Sequence, residues 1–478
     1  MTGTTGAASG AGAGAGSGAG SVLDWRGLAL WPPRRALEAL LRGKLARDVA
    51  LLQANNTIIK SYGFVFSVLA IRLLGTAGYG DFITVFSLYQ TVNILGSLGL
   101  GQFLVVPLAQ AAAAGDREEV AHATGYNLKL SATVAVLVML VALAFGPWLG
   151  EMIMRRPDIG HLMRIVALGA LPAVAYNVAV MALQSVRRMR DLALVENVDA
   201  LAGRTAGILA VLAGWGLAGL VAGLTLGGLV SALHALYQYR RVAVRQHGFP
   251  GFDGLLASAW RVPLGRYFRF SALAVADKNV GQFFGQTPVI FLSRWDGPEQ
   301  VAYLSIASKV FTLLNAFHGA ASRAFSVRLS QELGRQGATA TRRLFWRTSL
   351  IWGGISCLGA IAFLFLLPVF RWIYQPENLP SVLLVVLLAV LTAKQGFTVS
   401  LGSIFLIMNR VATNVLVKVP LMLVWMPIGA LLVQRWGATG AAAYQLGAYV
   451  TGDLLYFGLL AMPWFWARRR EAPVKSEP

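Results

Sequence analysis

Residues 55–80 read NNTIIKSYGFVFSVLAIRLLGTAGYG. Most of this stretch is apolar enough to cross a bilayer, yet it keeps polar residues inside. Asn56, Lys60, Gly63 and Ser67 recur at i, i+4, i+7 and i+11, which puts them on one face of a helix. One face suits lipid or neighbouring helices, and the other suits something wet. A helix of the same kind returns further on, where Asp277 falls on Asn56 at a shift of 221.

Composition sets the class. The chain has 478 residues, 56% hydrophobic and 13% charged, with a mean hydropathy of +0.62. A soluble protein carries about 25% charged residues. The apolar residues fall into runs of roughly 20, the length that spans about 30 Å of hydrocarbon. The chain is therefore read as a polytopic membrane protein. Its net charge of +20 follows from basic residues held at one membrane face, so nucleic-acid binding is not expected. Cys357 is the single cysteine, which excludes intramolecular disulfides and cysteine metal clusters. The histidines at 122, 161, 234, 247 and 318 show no ligand spacing, and no metal or cofactor is expected.

Along the chain, residues 1–33 form a Gly/Ala-rich tail with too little apolar surface to fold, opened by a run of Gly, Ala, Ser and Thr. Residues 34–47 place Leu37, Leu41 and Leu45 on one face with Arg35, Arg42 and Lys44 away from it. That pattern fits a short interfacial helix, and equally a plain basic juxtamembrane segment. Twelve spans follow, in an N-terminal lobe at 48–242 and a C-terminal lobe at 267–466, with a connecting loop at 243–266 and a tail at 467–478. Basic residues favour the connections that share a side with both termini by roughly four to one, so both termini are expected in the cytoplasm. Trp148, Trp215, Trp295, Trp372 and Trp436 fall at the opposite ends of the spans, as an interfacial belt would.

The halves repeat. Gly216 and Gly219 fall on Gly437 and Gly440 at a shift of 221, and Arg72 and Gly75 fall on Arg294 and Gly297 at 222. With six spans per half, both lobes take the same orientation, and a pseudo-two-fold axis along the membrane normal relates them. Gly219, Gly223 and Gly227 make two GxxxG steps in the sixth span, which suits close helix packing.

Charges inside the membrane are costly, at about 2.5–3.5 kcal/mol each at a helix centre. Lys60, Arg204, Lys278, Lys309 and Lys394 lie near mid-depth, with Asp199, Asp277 and Asp453. Lys309 sits too deep to snorkel easily, whereas Lys129, Lys418 and Glu196 are shallow and belong to the interface. Two readings stand for the deep set. Asn56 and Lys60 on the first span, with Lys278 and Gln282 on the seventh, would line a hydrated, weakly cationic cavity together with Arg204, Lys309 and Lys394. Alternatively the charges simply pair, Arg204 with Asp199 or Lys394 with Asp453. No catalytic constellation appears: the loop around Asp158 offers no partner acid, and the main basic loop has no phosphate-binding glycine motif.

LARDVALLQANN (45–56), RLLGTAGYGDF (72–82), SLGLGQFLVVPLAQA (97–111) and RMRDLALVENVDALAG (188–203) resemble polysaccharide biosynthesis flippases. These are the Wzx-type members of the multidrug/oligosaccharidyl-lipid/polysaccharide exporter superfamily, and the resemblance covers about residues 45–466. It implies an all-α, MATE-like fold of twelve helices in two six-helix lobes that alternates between inward and outward openings. It also implies non-enzymatic flipping of undecaprenyl-pyrophosphate-linked oligosaccharide across the bacterial inner membrane. On that model Lys60, Lys278, Lys309 and Lys394 draw the diphosphate, and a polysaccharide polymerase and chain-length regulator are expected partners. Drug-exporting relatives typically carry an acid in the first helix, where this chain has Asn56 and Lys60. Asp277 and Asp453 are the carboxylates left for ion coupling. The alternative is a cation-coupled multidrug or small-molecule exporter.

Overall fold

The computed structural model describes residues 44–96, 101–244, 248–263, 265–374, 380–399, 401 and 411–461. The tail at 1–33, most of the expected interfacial helix at 34–47 and the tail at 467–478 lie outside the described residues. The chain divides into two units, Met1–Ala50 and Leu51–Pro478. In the first, residues 44–50 are helical. The second holds the bundle.

All of its regular structure is helical among the described residues. In chain order the helices are α1 (Lys44–Gly96), α2 (Gly101–Ala114), α3 (Arg117–Met154), α4 (Pro157–Leu168), α5 (Ala170–Ser185), α6 (Met189–Ala210) and α7 (Gly216–Gln238). They continue with α8 (Phe252–Arg261), α9 (Gly265–Trp295), α10 (Pro298–Phe365), α11 (Leu367–Tyr374), α12 (Val382–Phe397) and α13 (Val411–Leu455). Several are far longer than a bilayer needs. The apolar part of α1 runs 42 residues, about 63 Å if straight, which is twice the hydrocarbon thickness. Helix α1 is therefore a hairpin of two spans, folded at a residue that leaves helical geometry, and α13 is built the same way. α4 and α5 are instead long and apolar enough to cross only when taken together, with a bend of 43° between them.

The folding points are glycines for a steric reason. Gly75 has φ 73°, ψ 173°, and Gly297 has φ 101°, ψ 177°. This region is essentially closed to residues with a Cβ. Gly216 (φ 55°, ψ −144°) and Gly437 (φ 53°, ψ −133°) form a second matched pair. The same unusual backbone therefore recurs at the offsets of the internal repeat.

Close packing then zips the hairpins. A Cβ on Gly227 would overlap the backbone of Gly203, and one on Gly223 the backbone of Gly207, so the α6 and α7 arms touch main chain to main chain. In α13 the corresponding arms pack glycine against ring, Gly429 on Tyr444 and Gly447 on Trp425. The arms of α10 run antiparallel: Phe311 meets Phe363 at 6.0 Å, His318 Nε2 lies 2.7 Å from Ser356 Oγ, and Phe325 meets Trp352 at 6.0 Å.

Two large apolar cores follow among the described residues, beside a small cluster of Ala135, Ala170 and Val174. At the end that carries the exposed Trp148, Trp215, Trp372 and Trp436, Phe66, Ile71 and Tyr79 of the first repeat share one core with Leu292, Val301 and Tyr374 of the second. At the opposite, arginine-bearing end, Leu108, Tyr126, Leu183 and Tyr239 pack with Phe249, Leu255 and Val262. All the buried members of that second core lie between residues 104 and 262. The repeats are thus joined through a continuous core at the Trp-bearing end, while the first repeat has a core of its own at the basic end.

Candidate functional site

The polar face of α1 first meets α6. Asn55 Nδ2 donates to Glu196 Oε2 at 2.7 Å, Tyr62 OH lies 2.6 Å from Thr205 Oγ1, and Arg204 Nη1 donates to the Ile59 carbonyl at 3.3 Å. The guanidinium lies beside Gly63, where a Cβ would stand in ordinary contact at 3.7 Å from Arg204 Cζ. Within α6, Asp199 is in electrostatic reach of Arg204, and both Asp199 and Glu196 act on Tyr176 of α5. Glu196, expected as a shallow interfacial residue, is the acceptor that holds Asn55.

Across the seam, Lys309 of α10 lies in electrostatic reach of Arg204. Each repeat therefore brings one cation within electrostatic range of the other, and Asp199 acts on Arg204. Like charges repel more strongly in a low-dielectric region than in water. Among the described residues no carboxylate is ion-paired with Lys309.

Of the other expected lining residues, Lys394 is met within its own repeat. Lys394 forms an ion pair with Asp453, donates to the Tyr449 carbonyl at 3.1 Å and lies 5.6 Å over the Tyr449 ring. Its charge is met inside the second repeat, which is the pairing alternative rather than the cavity one. The side chains of Asp277 and Lys278 lie outside the described residues. Asn56 and Lys60 are half-buried and Gln282 is exposed. Beside these, Asn279 Nδ2 donates to the Ile94 carbonyl at 3.0 Å, a bond between α9 and α1 that crosses the seam.

The Trp-bearing end of the seam is closed by backbone-directed bonds. Arg72 Nη2 donates to the Ile373 carbonyl at 2.8 Å. Arg294 Nη1 donates to the carbonyls of Met152 at 2.6 Å and Ile153 at 3.0 Å. Each acceptor lies in the last turn of a helix, α11 or α3, where carbonyls lack intrahelical donors and the helix dipole is negative. Ser67 Oγ lies 3.1 Å from Tyr374 OH, and Tyr79 OH lies 3.3 Å from Ser305 Oγ. A side chain on Gly80 would overlap the Pro298 carbonyl. In the turn after α9, Asp296 has its carboxyl raised above the usual range by partial burial; it packs on Gly437.

Among the described residues no three His, Cys, Asp or Glu side chains are placed to hold a metal ion. The candidate site gathers charged side chains along a seam between the repeats.

Residues 45–324 match the model of the family described as "Polysaccharide biosynthesis protein", more than half of the chain. The chain belongs to the polysaccharide biosynthesis protein family. No curated protein sequence matches it. Among solved structures, this family member is similar to a multidrug resistance MATE family transporter of the MOP superfamily in its inward-facing conformation, with TM-score 0.67, 15% identity and coverage of 87% of this chain and 96% of that one. An outward-facing structure of such a transporter gives TM-score 0.57, 16% identity and coverage of 91% and 98%. The lipid II flippase MurJ, inward closed, gives 0.55, 11% identity and coverage of 84% and 87%. The polysaccharide biosynthesis protein is thus an all-α, multi-pass membrane protein with the MATE-like fold. Its sequence marks Arg204 and Lys309 as deep cations. It carries no sign of what Arg72 and Arg294 bind, since a backbone carbonyl has no sequence signature.

Proposed function

We propose that the protein is a flippase that moves undecaprenyl-pyrophosphate-linked oligosaccharide from the cytoplasmic to the outer leaflet of the inner membrane, for surface polysaccharide synthesis. The observation that carries this reading is that Arg204 and Lys309, one from each repeat, lie in electrostatic reach of one another, cations of the kind that would draw a diphosphate. The oligosaccharide head group travels between the repeats while the prenyl tail stays in lipid. The basic end faces the cytoplasm, following the distribution of arginine among the connections. Closure at the Trp-bearing end then corresponds to an inward-open state, in keeping with the higher TM-score against the inward-facing MATE transporter. Movement of the repeats about the seam exposes the site to each leaflet in turn.

The test replaces Lys309 with alanine and measures surface polysaccharide in cells that carry the variant as their sole copy. Polysaccharide is expected to be lost while protein level and membrane insertion stay normal. Full polymer in that strain would sink the assignment. Small-molecule export is the competing reading, supported by the MATE fold; a drug-resistance phenotype with unchanged polysaccharide would favour it.

A further inference from the structure

The segment between the repeats, expected as a connecting loop, contains a docked helix. Leu255 and Ala259 of α8 are buried, and Gly125 of α3 approaches so closely that a Cβ there would lie 2.6 Å from Ser258 Cβ and 2.8 Å from Ala259 N. Lys129 Nζ donates to the Val262 carbonyl at 3.1 Å, and Tyr239 OH donates to the Pro250 carbonyl at 2.8 Å. Both ends of α8 are thereby fastened to the first repeat.

A second apolar stripe on the same helix lies open among the described residues, apart from one side of the Phe252 ring, which rests on Tyr239 at 6.3 Å. Phe252, Leu256 and Trp260, spaced i, i+4 and i+8, are 45%, 66% and 88% exposed. On a helical wheel this stripe adjoins the buried Leu255 and Ala259, so the apolar arc covers roughly 140° at 100° per residue. Asp253, Ala257 and Arg261 fall outside it. An arc half docked on a spanning helix and half open is the pattern of a helix that lies in a membrane interface, with Trp at the headgroup level.

The position and charge identify the occupant. α8 is fastened at the basic end of the bundle, after α7, whose exposed Leu226, Leu229 and Leu233 give way to the exposed Arg240 and Arg241. Exposed Arg261 closes α8 itself. Lipid-facing residues ending in arginines mark the headgroup boundary, and cations there favour anionic lipid. We infer that α8 is a membrane-surface anchor, its Phe252–Leu256–Trp260 stripe seated in the leaflet at the basic end and fixing the first repeat against the bilayer while the second moves. The anchor is independent of the transported substrate.

The test uses the full-length protein with Cys357→Ser, reconstituted in vesicles of phosphatidylethanolamine and phosphatidylglycerol. A nitroxide is attached in turn at Leu256→Cys, Trp260→Cys, Asp253→Cys and Ala257→Cys. At 256 and 260, collision with oxygen is expected to exceed collision with a water-soluble nickel chelate, and the ratio should invert at 253 and 257. Nickel access at 256 and 260 equal to that at 257 would overturn the anchor. Shielding of 256 and 260 from both reagents would also overturn it, in favour of a protein partner or a second copy. Exposed-site labels leave the docked face intact, and a monodisperse gel-filtration peak for each cysteine variant reports that the protein is folded.

Discussion

The guanidinium of Arg72 donates a 2.8 Å hydrogen bond to the carbonyl of Ile373, and the internal repeat makes the same bond in reverse. Arg294, the counterpart of Arg72 in the second repeat, reaches the carbonyl of Met152, the counterpart of Ile373 in the first, at 2.6 Å. Each repeat thus caps the C-terminus of a helix in the other. The two bonds sit at the same end of the seam and hold it closed.

Removing these caps should shift the conformational balance. Hydrogen bonds to charged donors contribute about 1.5–3 kcal/mol each, so Arg72→Ala or Arg294→Ala alone should leave closure weakened. The double variant should open the Trp-bearing end substantially. The measurement is maleimide labelling of Ser305→Cys in a Cys357→Ser background, which Tyr79 partly shields at 3.3 Å from its hydroxyl. Labelling is expected to rise from single to double variant; unchanged labelling would show that the apolar core alone holds the seam.

Reversing one charge at the cation pair should separate stability from transport. Lys309→Glu places an anion in reach of Arg204, replacing repulsion with attraction. The variant is expected to melt at a higher temperature in detergent and to lose polysaccharide production. Lys309→Arg should retain production, since it keeps the charge.

Lys394 and Asp453 pair with each other, so they should behave as a unit. Either alanine variant leaves a partly buried charge uncompensated, at a cost of about 3–5 kcal/mol. The double variant should recover much of that loss and retain transport. A double variant that is stable yet inactive would return Lys394 to the substrate path.

Glycine packing gives a paired test on one helix. Gly227→Ala drives a methyl into the backbone of Gly203 and should destabilise by about 1–3 kcal/mol. Gly228→Ala, next along α7, meets nothing within 4 Å and should be neutral or stabilising by up to about 1 kcal/mol. Thermal unfolding of the two purified variants compares them directly.

Orientation is checked with reporters fused at Gly216 and Gly437, the matched turns with φ of 55° and 53°. Both are expected on the periplasmic side. Cytoplasmic signal at either would reverse the proposed direction of flipping.

The apolar runs and the matched glycines at offsets of 221 and 222 were legible in the sequence because each answers to a local rule. A bilayer demands about 20 apolar residues per crossing, and a turn with positive φ and extended ψ demands glycine, as at Gly75 and Gly297. The GxxxG steps at Gly219, Gly223 and Gly227 were legible for the same reason, since close backbone approach requires small residues. Deep lysines and arginines also announced themselves by their cost in hydrocarbon. Their partners did not. Lys394 with Asp453, Arg204 in electrostatic reach of Lys309, and Arg72 on the Ile373 carbonyl relate residues many turns apart, through the relative depth and rotation of separate helices. A shift of one residue rotates a helical side chain by about 100°, so pairing is decided by packing of whole helices and not by any one segment. Only the tertiary structure could tell that the wet face of residues 55–80 is shared between α6 and the seam. Only it could place α8, whose stripe is amphipathic in sequence but whose docked half depends on the groove beside Gly125.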